Sequence, residues 1–265
     1  MTAPALLRAS HPGPVVAVTT IAGVLALAVD LDPGQVLLVV GAVLAGQLSI
    51  GWSNDLLDLP RDLRTHRADK PLATGELSAS LVRAACAVAV VVCVALSLAL
   101  GWAAGLVHLL GVACGWAYNL GLKATAWSWL PYAVAFGSLT AVPSLAAGDP
   151  VPVWLPLSGA LLGTGAHLVN VLPDLDDDAA TGVSGFPHRL ADRWGRAYVA
   201  PVAALLFVAA TVLLLAAGEV GPATWVGGAV VAVLAALTVL GHGRTPFRAA
   251  MAIALVDVVL LALTV

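Results

Sequence analysis

Charge is what this 265-residue chain has least of: Asp, Glu, Lys and Arg make up 10% of it, against 60% hydrophobic residues. A water-soluble domain carries roughly 25% charged residues, so that scarcity, with a mean hydropathy of +0.98, excludes one. No nucleic-acid partner is expected. Strand-like alternation is missing too, which leaves membrane helices rather than an outer-membrane barrel. Cysteine is sparse, and Cys86, Cys93 and Cys114 all fall within apolar runs. That odd, buried set argues against a disulfide framework or a structural zinc site, and reads as packing. No polar stretch is long enough to fold alone. The sequence therefore predicts one all-α integral membrane domain over residues 1–265.

What the chain has in abundance is long apolar runs. Nine are counted, near 14–29, 35–53, 82–100, 102–120, 127–147, 152–172, 197–217, 222–240 and 247–264. Most approach the roughly 20 residues that span a bilayer. The first resembles a signal peptide, with Arg8 ahead of it and Ala26-Leu27-Ala28 near its end. The charge pattern, however, requires a retained helix. With nine spans, all twelve basic residues fall on one side. They are Arg8, then Arg61, Arg64, Arg67, Lys70 and Arg83, then Lys123, then Arg189, Arg193 and Arg196, and finally Arg244 and Arg248. The opposite loops hold Asp30, Asp32, Asp149 and Glu219. The positive-inside rule places the basic side and the N-terminus in the cytoplasm and the C-terminus outside. A plasma or inner membrane is expected. Pairs such as Gly101/Gly105, Gly111/Gly115 and Gly159/Gly163 have the spacing that lets helices approach closely within the molecule.

The few acids are not scattered. Asn54-Asp55-Leu56-Leu57-Asp58-Leu59-Pro60-Arg61-Asp62 follows the second run, and Asp174-Leu175-Asp176-Asp177-Asp178 follows the sixth. Carboxylates at a membrane rim are costly, so two such groups in so apolar a chain point to function. Both fall on the cytoplasmic face. If the second helix continues past Asn54, then Asp55, Asp58 and Asp62 share one face at i, i+3 and i+7. Pro60 would kink or end that helix. Asn170, Asp174 and Asp178 share a face in the second group. Like charges so placed repel unless a cation neutralises them, and Mg²⁺ favours carboxylates together with substrate phosphates. Arg61, Arg64, Arg67, Lys70, Lys123 and Arg189 are available to a diphosphate, as donors that help it bind and leave.

Four ordered motifs resemble the UbiA-type intramembrane prenyltransferases. Asn54-Asp55-x-x-Asp58-x-x-x-Asp62 is similar to that superfamily's first aspartate motif, and Arg67 to Gly75 to the basic stretch after it. Tyr118-Asn119-Leu120-Gly121-Leu122-Lys123 resembles its Tyr-to-Lys segment, with one more intervening residue than the commonest spacing. Asp174-x-x-x-Asp178, with Gly182 and Pro187-His188-Arg189-Leu190, resembles the second aspartate motif and its trailing loop, with Ala179 where a basic residue is common. The resemblance implies nine transmembrane helices around a lipid-facing central cavity, with two Asp-rich cytoplasmic loops. It also implies Mg²⁺-dependent transfer of an isoprenyl group from an allylic diphosphate to a lipophilic, usually aromatic, acceptor. Asn54, Asp55, Asp58, Asp62, Asp174 and Asp178 are then the expected metal ligands. Asn54, Arg67, Lys70, Asn119, Lys123, Asn170 and Arg189 are the expected substrate contacts, and Tyr118 and Lys123 join the five aspartates as catalytic residues.

Loss of diphosphate would leave an allylic cation in a water-poor site, where an aromatic face stabilises it. Trp52, Trp116, Tyr118, Trp127 and Trp129 lie near the cytoplasmic helix ends, but an interfacial aromatic belt accounts for all except Tyr118. A terpene cyclase would use the same diphosphate site. A cation-coupled transporter is disfavoured, because transport sites lie near the midplane. His108 and His167 read as partners in interhelical hydrogen bonds, and His188 as a loop residue. Asp257, an acid within the last run, is open to a functional role, to snorkelling or to an interhelical hydrogen bond.

Overall fold

The computed structural model describes residues 2–175, 178, 182–218 and 221–264, so Asp176, Asp177, Ala179 and Glu219 lie outside the described residues. Those described form helices and no strands. In chain order the helices are α1 (Thr2–Ala9), α2 (Pro12–Ala28), α3 (Pro33–Arg64), α4 (Ala79–Ala99), α5 (Trp102–Leu120), α6 (Leu130–Ala147), α7 (Trp154–Val171), α8 (Phe186–Trp194), α9 (Val199–Ala217), α10 (Pro222–Leu240) and α11 (Thr245–Thr264). Short 3₁₀ turns occupy Leu122–Ala124, Leu172–Asp174 and Arg196–Tyr198.

Eight of these helices are long and apolar enough to cross a membrane: α3 to α7 and α9 to α11. The first expected span, α2, has 17 residues and meets the same measure only together with α1, from which it is bent by 71°. Each spanning helix packs on its sequence neighbour, and α11 returns to α2, closing a ring. The first expected span is integral to that ring, since Ile21, Ala22, Leu25 and Ala26 are buried in the main core with Leu139, Phe207 and Ile253. Outward faces carry exposed Leu37, Val91, Leu205 and Val233, the surface a lipid-facing helix presents.

Local signals set the ends. Asp32 caps α3 by accepting from the Gly34 and Gln35 amides at 2.8 and 3.1 Å, and Pro33 fills the first turn, where no donor is needed. Such a cap contributes about 1 kcal/mol. The close-approach glycines are used within the molecule. A Cβ on Gly159 would come within 2.6 Å of the Phe136 carbonyl oxygen, and one on Gly163 within 2.5 Å of the Tyr132 carbonyl oxygen. Both glycines therefore let α7 lie directly on α6. Gly101 serves differently, capping α5 at φ 95° with open space around it.

Two expectations are corrected. The first acidic group is not a loop: α3 runs unbroken through Pro60 to Arg64. Hydropathy stops at Asn54, but helix continuation depends on hydrogen bonding and charge balance, and Arg61 and Arg64 suit the C-terminal dipole. The segment after α7 is not wholly loop either, because it contains the nine-residue helix α8.

Candidate active site

The i, i+3, i+7 pattern on α3 points inward: Asp55, Asp58 and Asp62 are all buried. Buried carboxylates need compensating charge, and three basic side chains supply it. Lys70, on the turn after α3, donates to Asp55 Oδ1 at 2.6 Å. Lys123, from the 3₁₀ turn after α5, pairs with Asp58 Oδ1. Arg61 lies 3.5 Å from Asp58 Oδ2, 3.9 Å from Asp62 Oδ1 and 3.4 Å from Asp178 Oδ1. That guanidinium joins the first acidic group to the second, 117 residues later.

Two oxygens remain over. Asp55 Oδ2 and Asp62 Oδ1 are buried without a hydrogen-bond partner among the described residues. No three acidic, His or Cys side chains among those residues are gathered as a ready-made metal cage. Mg²⁺ does not require one, since it is commonly held by one or two carboxylates plus substrate phosphates and water. Hard carboxylate oxygens that accept no hydrogen bond fit such an ion, Asp62 Oδ1 having only the longer Arg61 contact.

The second acidic segment is more open. Asp174 ends the 3₁₀ turn Leu172–Asp174 and is exposed, while Asp178 is half-buried. Burial pushes the Asp178 carboxyl above its ordinary range, partly offset by Arg61 and His188. His188 Nε2 lies 3.9 Å from Asp178 Oδ2.

The other expected residues divide. Asn54 donates to Asn119 Oδ1 at 3.2 Å, and Asn119 donates to the Ile50 carbonyl and Ser53 Oγ, each at 2.9 Å. These amides brace α3 against α5, directly beneath the carboxylates. Tyr118 meets Tyr132 edge-on at 5.2 Å and His167 at 5.6 Å between ring centroids. Asn170 is exposed and donates to the Tyr132 hydroxyl at 3.3 Å. Arg67 is turned to Asp69 in a two-point pair, both contacts 2.8 Å. That pair raises the Arg67 guanidinium further and pulls Asp69 down to about 2. Arg189 is exposed on α8. Trp52 and Trp116 use their indole N–H groups on the Leu6 carbonyl and Ser49 Oγ, and Trp127 is exposed. As expected, His108 bonds to Ser97 of α4 at 2.7 Å. Of the readings open for Asp257, the structure shows the interhelical hydrogen bond, accepted from Thr211 of α9 at 2.8 Å.

Spacing did not single out Arg61, His11 or His188. His11 Nε2 sits 3.0 Å from Asp55 Oδ1 and 3.3 Å from Lys70 Nζ. The bend between α1 and α2 brings it there, with His11 itself at φ 59°. Arg61 offered a signal that was available: it lies one turn from Asp58 on a helix, where opposite charges pair.

Fold and site together define a multi-pass helical membrane protein with a buried cluster of acids and bases at one end of its helices. The family model for the UbiA prenyltransferase family matches residues 15–256, and the chain belongs to that family. An apo UbiA homologue from Aeropyrum pernix K1 is 20% identical over 92% of this chain and 95% of its own, with TM-score 0.75. A UbiA homologue from Archaeoglobus fulgidus bound to GPP and Mg²⁺ is 14% identical over 97% of each chain, with TM-score 0.71. A digeranylgeranylglyceryl phosphate synthase is 18% identical over 98% of this chain and 96% of its own, with TM-score 0.67. At these identities the structural likeness establishes the fold. Comparison with curated protein sequences gave no match.

Proposed function

We propose that this protein transfers an isoprenyl group from an allylic diphosphate to a lipophilic acceptor within the membrane, releasing diphosphate, with Mg²⁺ as its cofactor. The observation that carries this reading is the convergence of Asp55, Asp58, Asp62 and Asp178 with Lys70, Lys123 and Arg61, leaving two buried carboxylate oxygens over. The binding of GPP and of DMAPP, each with Mg²⁺, by the Archaeoglobus homologue supports it.

In this reading Asn54, Asp55, Asp58, Asp62, Asp174 and Asp178 hold the metal. When bound, Mg²⁺ supplies positive charge that neutralises the diphosphate oxygens and stabilises them as a leaving group. Lys70 and Lys123 donate to the same oxygens as the carbon–oxygen bond breaks and charge accumulates there. Arg67 and Arg189 assist at the rim. Tyr118 presents its ring to the allylic cation, and Asn119 and Asn170 fix the groups around it. The surrounding apolar helices keep water from the cation until the acceptor attacks and loses a proton. In this reading the acidic end faces the cytoplasm, since a nine-span topology would put every Lys and Arg on that side.

Purified protein with Mg²⁺, allylic diphosphates of several lengths and extracted membrane acceptors tests this directly. Diphosphate release that requires the acceptor is the expected result. Release with formation of a cyclic hydrocarbon and no acceptor would make it a cyclase. Uptake by sealed vesicles with no isoprenoid consumed would make it a transporter.

A further inference from the structure

Ser128 lies in the short link between the Lys123 turn and α6, and it is completely buried. Its hydroxyl meets two groups from distant parts of the chain. The backbone N–H of Phe186, the first residue of α8, donates to Ser128 Oγ at 2.8 Å. His167 of α7 approaches the same oxygen through Nε2 at 2.9 Å. A serine hydroxyl has one proton to give and two lone pairs to offer, so it can serve both. His167 is itself fully buried, and its ring rests 4.7 Å from that of Tyr132 and 5.6 Å from that of Tyr118.

The residue before Phe186 makes the junction tighter. A Cβ on Gly185 would stand 2.6 Å from the Lys123 carbonyl oxygen and 2.7 Å from Ser128 Oγ. Gly185 has an ordinary φ of −81°, so space and not backbone freedom excludes a side chain there. The N-terminus of α8 thus sits directly against the turn that carries Lys123. From that end the Gly185 N–H donates to His188 Nδ1 at 3.2 Å, and the opposite ring nitrogen faces Asp178 Oδ2 at 3.9 Å. Lys123, on the other side of the junction, pairs with Asp58.

We infer that Ser128, backed by His167, is a positioning residue that clips α8 to the Lys123 turn and so fixes the gap between the two acidic segments. This rests on the reading of those segments as a joint Mg²⁺-diphosphate site. The Ser128 hydroxyl meets His167 and the Phe186 N–H, neither of them among the residues assigned to the metal or the diphosphate. Its effect runs through Lys123 on one side and through His188 and Asp178 on the other. Loss of the hydroxyl strands a part-buried N–H and a buried imidazole, so α8 has reason to move.

The test uses Ser128→Ala in the full chain in detergent, with two readouts besides turnover. The first is amide hydrogen exchange of the segment 182–190. The second is Mg²⁺-dependent binding of a non-hydrolysable geranyl thiolodiphosphate by calorimetry. The expected result is exchange about 10-fold faster at the start of α8, where an amide loses its acceptor. It should come with binding weakened about 10-fold, a matching rise in KM for the allylic diphosphate, and an unchanged KM for the acceptor. Ser128→Thr, which keeps the hydroxyl, should restore most of both. Unchanged exchange would overturn the inference, as would faster exchange with unchanged binding. If Ser128→Ala yields no folded protein, Ser128→Cys carries the same test with smaller expected changes, because its thiol is a weaker donor and acceptor toward the same two groups. Failure of the unaltered protein to bind the thiolodiphosphate would overturn the functional reading itself, a result distinct from equal binding by both proteins.

Discussion

Asp55, Asp58 and Asp62 belong to the last turns of a 32-residue helix, whereas Asp174 and Asp178 follow a helix that has already tightened into a 3₁₀ turn. The first group is buried and held by Lys70, Lys123 and Arg61 from three directions. The second has one exposed carboxylate and one half-buried, tied back by Arg61 and His188. In the proposed reading, placement on a long helix makes the first group the fixed jaw of the site. The second jaw would be set through Arg61 and through His188 of α8, which hold Asp178. The two strings of aspartates would then divide the work between preorganisation and fit.

That contrast can be broken most easily on the fixed side. Asp58→Ala should lower turnover by about 10³-fold or more, the scale of losing a preorganised electrostatic partner, measured by release of labelled diphosphate. Circular dichroism and gel filtration should still report an inserted, folded protein. Full activity would remove the first segment from the site. Asp174→Ala should cost about 10²-fold, part of it recovered at raised Mg²⁺ as expected for a weakened rather than a missing ligand. If added Mg²⁺ recovers Asp58→Ala equally well, the two jaws are not different in kind. Arg67→Ala should matter less, about 10-fold at most in KM for the diphosphate, because its guanidinium is already engaged by Asp69 at an exposed position. A larger loss would show that Arg67 leaves Asp69 when substrate arrives. Smallest of all should be Pro60→Ala, which returns a donor to the Leu56 carbonyl. Thermal stability should rise slightly and turnover should stay within about twofold, the range of a change that alters no contact to substrate. A large fall in turnover would mean that the proline interruption shapes the fixed jaw.

Much of this was legible from residues alone. Hydropathy found the long helices, and i, i+3, i+7 spacing put three acids on one face. Lys70 and Lys123 were expected near them and are there. The misses share a physical cause. Helices α1 and α8 are short and mixed in polarity, so a measure of membrane transfer does not register them. His11 reaches Asp55 from 44 residues away, and Ser128 meets Phe186 from 58 away. Such meetings depend on how helices pack, which no local spacing records. The end of apolarity at Asn54 and the presence of Pro60 leave open whether the helix reaches Asp62, and neutralisation by neighbouring cations lets it carry on.

The ring closes between α2 and α11, the first and last helices to take part in it. About 200 residues of synthesis separate them, which at 5–20 residues per second is on the order of tens of seconds. Through that interval the earliest helix stands in the bilayer with one flank uncovered, and the acid-bearing α3 beside it. The nascent protein must therefore be tolerated half-built by the insertion machinery or by surrounding lipid. Helix α11 acts as the closing stave of this ring, and a ribosome stalled just short of it would leave an open barrel of helices.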